Sequence, residues 1–256
     1  MPKSIKNEYT KINDSILGKA SFIISIALTI IYMVIYGVSL DKNQSFLSYS
    51  AEVFERVSLL YIFSFIAVTL TALLFAREFQ DRTIIYVLIR PIKASKLFLN
   101  KIFAIALYVF KIMTLCFFIP MLPGLIIFKF QYFNFDANWV DSILKMALFY
   151  VNSLISIFLP IIICVLISLI SKNQLISIIS TLVVFFIGIF LNLTVTFGSF
   201  QTKMSVIPYI VMTKYIEEKF NIFKDYFMYY TFMQAIFLLI VFVLCYRYWT
   251  RITKHA

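Results

Sequence analysis

The chain has 256 residues, of which 62% are hydrophobic, 18% aromatic and only 14% charged, with a formal net charge of +11. So little polar surface cannot cover a soluble globule, which leaves a polytopic membrane protein. One histidine, His255, and the lack of a G-x-x-x-x-G-K-[ST] loop exclude a histidine-based metal site and a phosphate-binding loop of the chain's own.

Along the chain, residues 1–19 come first. Ile5, Tyr9, Ile12 and Ile16 recur at helical spacing while Lys3, Lys6, Asn7, Lys11 and Asn13 occupy other faces. This predicts an interfacial helix in the headgroup region, with a disordered basic tail as the alternative. Crossing the hydrocarbon core takes roughly 17–25 apolar residues. Six runs are candidates, Ala20–Leu40, Val57–Phe75, Ile102–Ile127, Met146–Ile170, Leu175–Leu193 and Thr231–Tyr246, the sixth a little short unless it begins nearer Tyr226. The first is too long for a secretory core and has no small-x-small cleavage site, so it is expected to stay as a span. The expected fold is all-α, one transmembrane domain with six helices. It divides into the interfacial helix (1–19), spans one and two (20–75), a charged segment (76–101), spans three to five (102–193), outer re-entrant helices (194–225), and span six with a basic tail (226–256).

The segment 76–101 carries Arg77, Glu78, Asp81 and Arg82, then Ile84, Ile85, Leu88 and Ile89, and stops at Pro91. It predicts an amphipathic helix over 77–89, in which Glu78 and Arg82 form an i,i+4 pair contributing about 0.2–0.5 kcal/mol. In the third span, Lys111 is an intramembrane cation. It reads either as a cargo or gating contact or as a lysine that snorkels or bonds backbone carbonyls. Pro160 is expected to kink the fourth span. Cys116, Cys164 and Cys245 all fall in spans and read as small hydrophobes.

Cations set the orientation. The side holding both termini and 76–101 has fourteen Lys and Arg against four acids, while the other side has eight of each. The positive-inside rule therefore places the termini and 76–101 in the cytoplasm, with anionic lipid rather than nucleic acid as the partner of the excess charge.

Glu78, Thr83, Leu88, Arg90-Pro91, Lys93 and Lys101 resemble the E-x-x-x-G-T, L-L-x-x-P-[VI]-x-R and distal K signature of type-2 ABC transporter permeases. The sequence departs from it at the glycine, which is Arg82, and at the arginine, which is Lys93. The resemblance implies that 76–101 is a coupling segment docking a separate ABC ATP-binding subunit through Glu78, Phe79, Asp81, Arg82, Thr83 and Tyr86. That subunit would hold ATP and Mg, and this chain would bind no cofactor and have no enzymatic site. The resemblance also implies pairing with a second permease copy or homologue. Spans one, two and five would form a cargo path lined by Tyr32, Tyr36, Phe63, Phe65, Phe185 and Phe186, with Lys111 as a further contact. Small permeases of this build are similar to bacterial exporters and immunity transporters for amphipathic peptides, such as phenol-soluble modulins and lantibiotics. The expected location is the bacterial cell membrane. A membrane scaffold and an intramembrane lipid enzyme are the alternatives.

Overall fold

The computed structural model of the chain describes residues 2–38, 50, 53–54, 62–83, 94–122, 137–197, 235–236 and 238–251. Among these, every regular element is a helix: α1 (Lys3–Asp14), α2 (Ile16–Val38), α3 (Ile62–Leu74), α4 (Ala76–Gln80), α5 (Ala94–Phe118), α6 (Ala137–Ser171) and α7 (Gln174–Phe197), with α8 over 238–251. Tyr86, the side chain of Tyr36, and most of the expected outer re-entrant segment, from 198 to 225, lie outside the described residues.

The N-terminal helix predicted from spacing is α1, and its apolar face packs inward. Ile12 is fully buried, and Ile5 and Tyr9 pack on the same core, Tyr9 with its ring 5.7 Å from that of Tyr108 on α5. Ile16, which the spacing placed on that face, lies beyond the end of α1 and is 86% exposed. The chain breaks at Ser15, whose backbone is extended. Its hydroxyl oxygen accepts from the Gly18 N–H at 2.9 Å, capping the first turn of α2. Gly18 is required by this joint. A Cβ there would stand 2.0 Å from the Ile12 carbonyl oxygen. The carbonyl of Gly18 in turn accepts from the Tyr108 hydroxyl at 2.9 Å, which fixes the start of α2 against the middle of α5.

Along α2 the hydroxyl residues Ser21, Ser25 and Thr29 are buried while Ile23, Ile24, Ile30, Ile31, Val34 and Ile35 face out. Each hydroxyl donates to a carbonyl one turn back, at 2.7, 2.6 and 2.8 Å, so no polar group is orphaned. Small hydroxyl residues inside and branched apolar residues outside are the pattern of a helix solvated by lipid. Helix α3 is the central element, with Ile66, Ala67, Leu70, Thr71, Ala72 and Leu74 buried against α2, α5, α6 and α7. The three cysteines are buried and free, their sulfurs directed at the carbonyls of Ser25, Val68 and Ile162. Pro160 lies inside α6, which continues through it to Ser171.

Three stretches among the described residues are long and apolar enough to cross a membrane: Ile16–Ile35, Ile62–Gln80 and Ala94–Phe118. They answer to the first three expected spans. The expected fourth and fifth spans fall within α6 and α7, and the sixth overlaps α8.

The helix predicted over 77–89 needs correction. After a break at Phe75, α4 runs only from Ala76 to Gln80. Residues 81–83 turn, with Arg82 at φ 55°, a left-handed conformation no helix can continue through; residues 84–93 lie outside the described set. The expected Glu78–Arg82 pair is therefore replaced. Arg77 bonds Asp81 across one turn at 3.2 Å, and Glu78 turns inward to other partners. Arg82 occupies the position at which the signature has glycine, the residue that adopts positive φ without strain.

Candidate functional site

At one end of the bundle, α4 is held from four sides, and a buried charge cluster sits at its centre. Lys101, near the start of α5, is completely buried. A buried ammonium is tolerated only when paired and hydrogen-bonded. Its Nζ lies 2.5 Å from Glu78 Oε2 as an ion pair and donates to the Leu74 carbonyl at 2.6 Å. That carbonyl sits where the backbone breaks between α3 and α4, so Lys101 caps the end of one helix and grips the next. The ammonium also lies over the Phe75 ring, 5.3 Å from its centre.

The other carboxylate oxygen of Glu78 accepts from Lys11 at 3.1 Å, and Lys11 donates to both oxygens of Glu8 one turn earlier on α1 at 3.1 and 3.3 Å. Two cations and two carboxylates thus run in a chain from α1 through α4 to α5. Burial works against the charge on Lys11, and Glu78 followed by Glu8 overcome it, holding its pKa above the ordinary lysine value. The stabilisation from that raised pKa is complete below the unfolded lysine value near 10.5 and is lost as pH climbs through the higher folded one.

A ring cluster closes the opposite side of α4. Trp249 of α8 is fully buried. Its ring lies 5.9 Å from Phe75, 6.1 Å from Phe79 and 5.8 Å from Phe98, and its indole N–H donates to the Ala94 carbonyl at 2.9 Å. The last tie is polar: Gln80 Oε1 accepts from the Gln174 N–H at 3.2 Å, joining α4 to the first residue of α7.

Of the sequence-predicted docking residues, Glu78 and Phe79 face inward and fix α4, while Asp81, Arg82 and Thr83 are exposed on the turn beyond it. Lys101, Lys11, Glu8 and Trp249 complete the site. Spacing could not reveal them as partners of Glu78 and Phe79, since they come from distant helices. The one sequence signal was Lys101 as the last residue of the signature.

The predicted cargo residues divide. A groove of about 390 Å³ opens between α2, α3 and α7, lined among others by Leu17, Ile24, Phe65, Leu182, Phe185 and Phe186. Its hydroxyls at Ser21 and Thr69 donate to backbone carbonyls of their own helices, and with Ser64 as the one further hydroxyl the wall is mostly apolar. Phe63 instead is buried in the core, 6.0 Å from Phe54, and Tyr32 packs against that core. Lys111 does not line the groove. It is exposed on α5 with its ammonium 5.2 Å from the Phe22 ring centre and 5.9 Å from that of Tyr108, which fits a snorkelling cation resting on aromatic faces. Among the described residues no group of His, Cys, Asp and Glu is placed to hold a metal ion.

A family model described as ABC-2 family transporter protein matches residues 4–188. That range takes in α1, the clamp around Glu78 and the helices of the apolar groove. Comparison with curated proteins and with solved structures found no match.

Proposed function

The chain belongs to the ABC-2 family of transporter proteins, the membrane permeases of ABC transporters, and on that premise we propose that it exports hydrophobic or amphipathic peptides. In this reading a separate ATP-binding subunit carries ATP and Mg, docks on the turn beyond α4 from the cytoplasm, and moves the permease through α4. Two copies, or this chain and a homologue, form the pathway, and both termini are cytoplasmic in a bacterial cell membrane.

The observation that carries the proposal is the way α4 is fixed. Glu78 is shared between Lys101 of α5 and Lys11 of α1, Phe79 packs on Trp249 of α8, and Gln80 holds α7. A push on residues 81–83 therefore reaches four helices at once and is delivered as a rigid-body displacement rather than absorbed in a loop. Two of the helices that line the groove, α3 and α7, join α4 or touch it. An apolar groove of about 390 Å³ is the size of a site that accepts several apolar side chains, which favours amphipathic peptides over ions or sugars.

Phe79→Asp tests the coupling, because it puts a charge into the ring cluster without touching the exposed turn. Purified with its ATP-binding subunit in liposomes, the variant is expected to keep ATP hydrolysis and lose export of a labelled amphipathic helical peptide. Wild-type export by this variant would remove α4 as the transmitting element, and hydrolysis indifferent to the presence of the permease would favour a scaffold.

A further inference from the structure

The described residues that line the groove between α2, α3 and α7 include no charged side chain and three hydroxyls, Ser21, Ser64 and Thr69. Two of the hydroxyls are already engaged. Ser21 donates to the Gly18 carbonyl at 2.7 Å and Thr69 to the Ile66 carbonyl at 2.9 Å, each about a turn back on its own helix. The same habit holds behind the wall, for Ser25 and Thr29 on α2, Thr71 on α3 and Thr181 on α7. Ser64 is different. It is partly exposed and has no hydrogen-bond partner among the described residues.

Its place on α3 sets its hydroxyl at the groove. Ser64, Val68 and Ala72 follow at i, i+4 and i+8, one row along the helix. Val68 and Ala72 are buried with Cys164 of α6, and Ile178 of α7 packs on them. One turn beyond Val68 the row opens, and Ser64 shares the groove wall with Leu182 and Phe185 of α7 and with Phe65, which is 50% exposed.

A lone hydroxyl in such a wall discriminates between occupants. Cargo that fills the groove with hydrocarbon alone strips the serine of other partners and leaves it unpaired, and that loss exceeds the net gain from an ordinary hydrogen bond. Cargo that brings a polar group to the same point pairs it. A site with a hydrogen-bonding group to satisfy rejects the occupant lacking the match more strongly than an apolar pocket rejects a change of one methylene. In a helical peptide the backbone groups are paired within the helix, so the matching group must come from a side chain.

We propose that Ser64 selects the cargo, the groove taking an amphipathic peptide whose apolar face carries one uncharged hydrogen-bonding side chain, a hydroxyl or carboxamide, that meets Ser64. The proposal rests on the reading of the groove as the export path and names the peptide class within it. A charged side chain is disfavoured at this point, because none of the described lining residues carries an opposite charge to pair with it.

The test uses two labelled helical peptides that differ at one position in the middle of the apolar face, threonine in one and valine of the same shape in the other. They compete for transport in liposomes holding the permease and its ATP-binding subunit. The wild-type protein is expected to favour the threonine peptide about fivefold, the worth of one hydrogen bond. Ser64→Ala should lose the preference and Ser64→Thr should retain it. A wild type that transports both peptides equally, or an undiminished threonine preference in Ser64→Ala, would overturn the proposal. Transport of neither peptide by the wild type while ATP is hydrolysed would instead sink the reading of the groove as the export path, and this proposal with it.

Discussion

Breaking the Glu78–Lys101 pair from either side should have unequal effects. In Glu78→Gln, the Lys101 ammonium stays fully buried with only the Leu74 carbonyl to meet it. Removing one partner of a buried pair in this way costs about 3–5 kcal/mol. In Lys101→Met, the carboxylate that remains is near the surface, 12% exposed, and keeps Lys11 at 3.1 Å, so the loss is closer to that of one hydrogen bond to a charged group, about 1.5–3 kcal/mol. The double variant removes the stranded ammonium and should be no worse than Lys101→Met, which makes the coupling energy at least the whole Glu78→Gln cost, about 3 kcal/mol, well above the scatter of independent sites. Equilibrium unfolding in mixed micelles, followed by Trp249 fluorescence in a Trp139→Phe background, measures all three. Additive single effects, or a Glu78→Gln variant no weaker than Lys101→Met, would refute a closed clamp.

Two further outcomes are expected. Gly18→Ala should destabilise the protein although alanine in a helix usually gains about 0.5–1 kcal/mol over glycine, because the new Cβ must push the Ile12 carbonyl back from 2.0 Å; faster amide exchange in α1 with α5 unchanged is the signature. Lys111→Met should insert and export as wild type and lose about 0.5–1 kcal/mol of stability from its two ring contacts; impaired export with full stability would return Lys111 to the cargo path.

The membrane class, the N-terminal helix and the breaks in hydrophobicity were legible in the sequence, because each depends on local composition or on a 3.6-residue period. Glu78 was recognised for its residue type but given the wrong partner. Spacing offered Arg82 four residues on, and only a helix continuing past Gln80 would have brought the two together. The backbone turns at Arg82 instead, and the true partners arrive from α5 and α1, 23 residues later and 67 earlier. Likewise Phe63 and Phe65 are both aromatic on one helix, yet two residues of rotation send the first into the core and the second to the groove. Trp249 gave no signal, since a tryptophan near a basic tail is equally at home at a membrane interface.

The Lys101 clamp also bears on how the chain enters the bilayer during synthesis. A buried ammonium such as that of Lys101 is tolerated only when paired, and α3 and α4 leave the ribosome first, bringing Glu78 and the Leu74 carbonyl that it will meet. When α5 follows, its lysine meets both. By chain order the acid is thus already in place before the base arrives, so Lys101 can be paired as soon as α5 packs on α3 and α4.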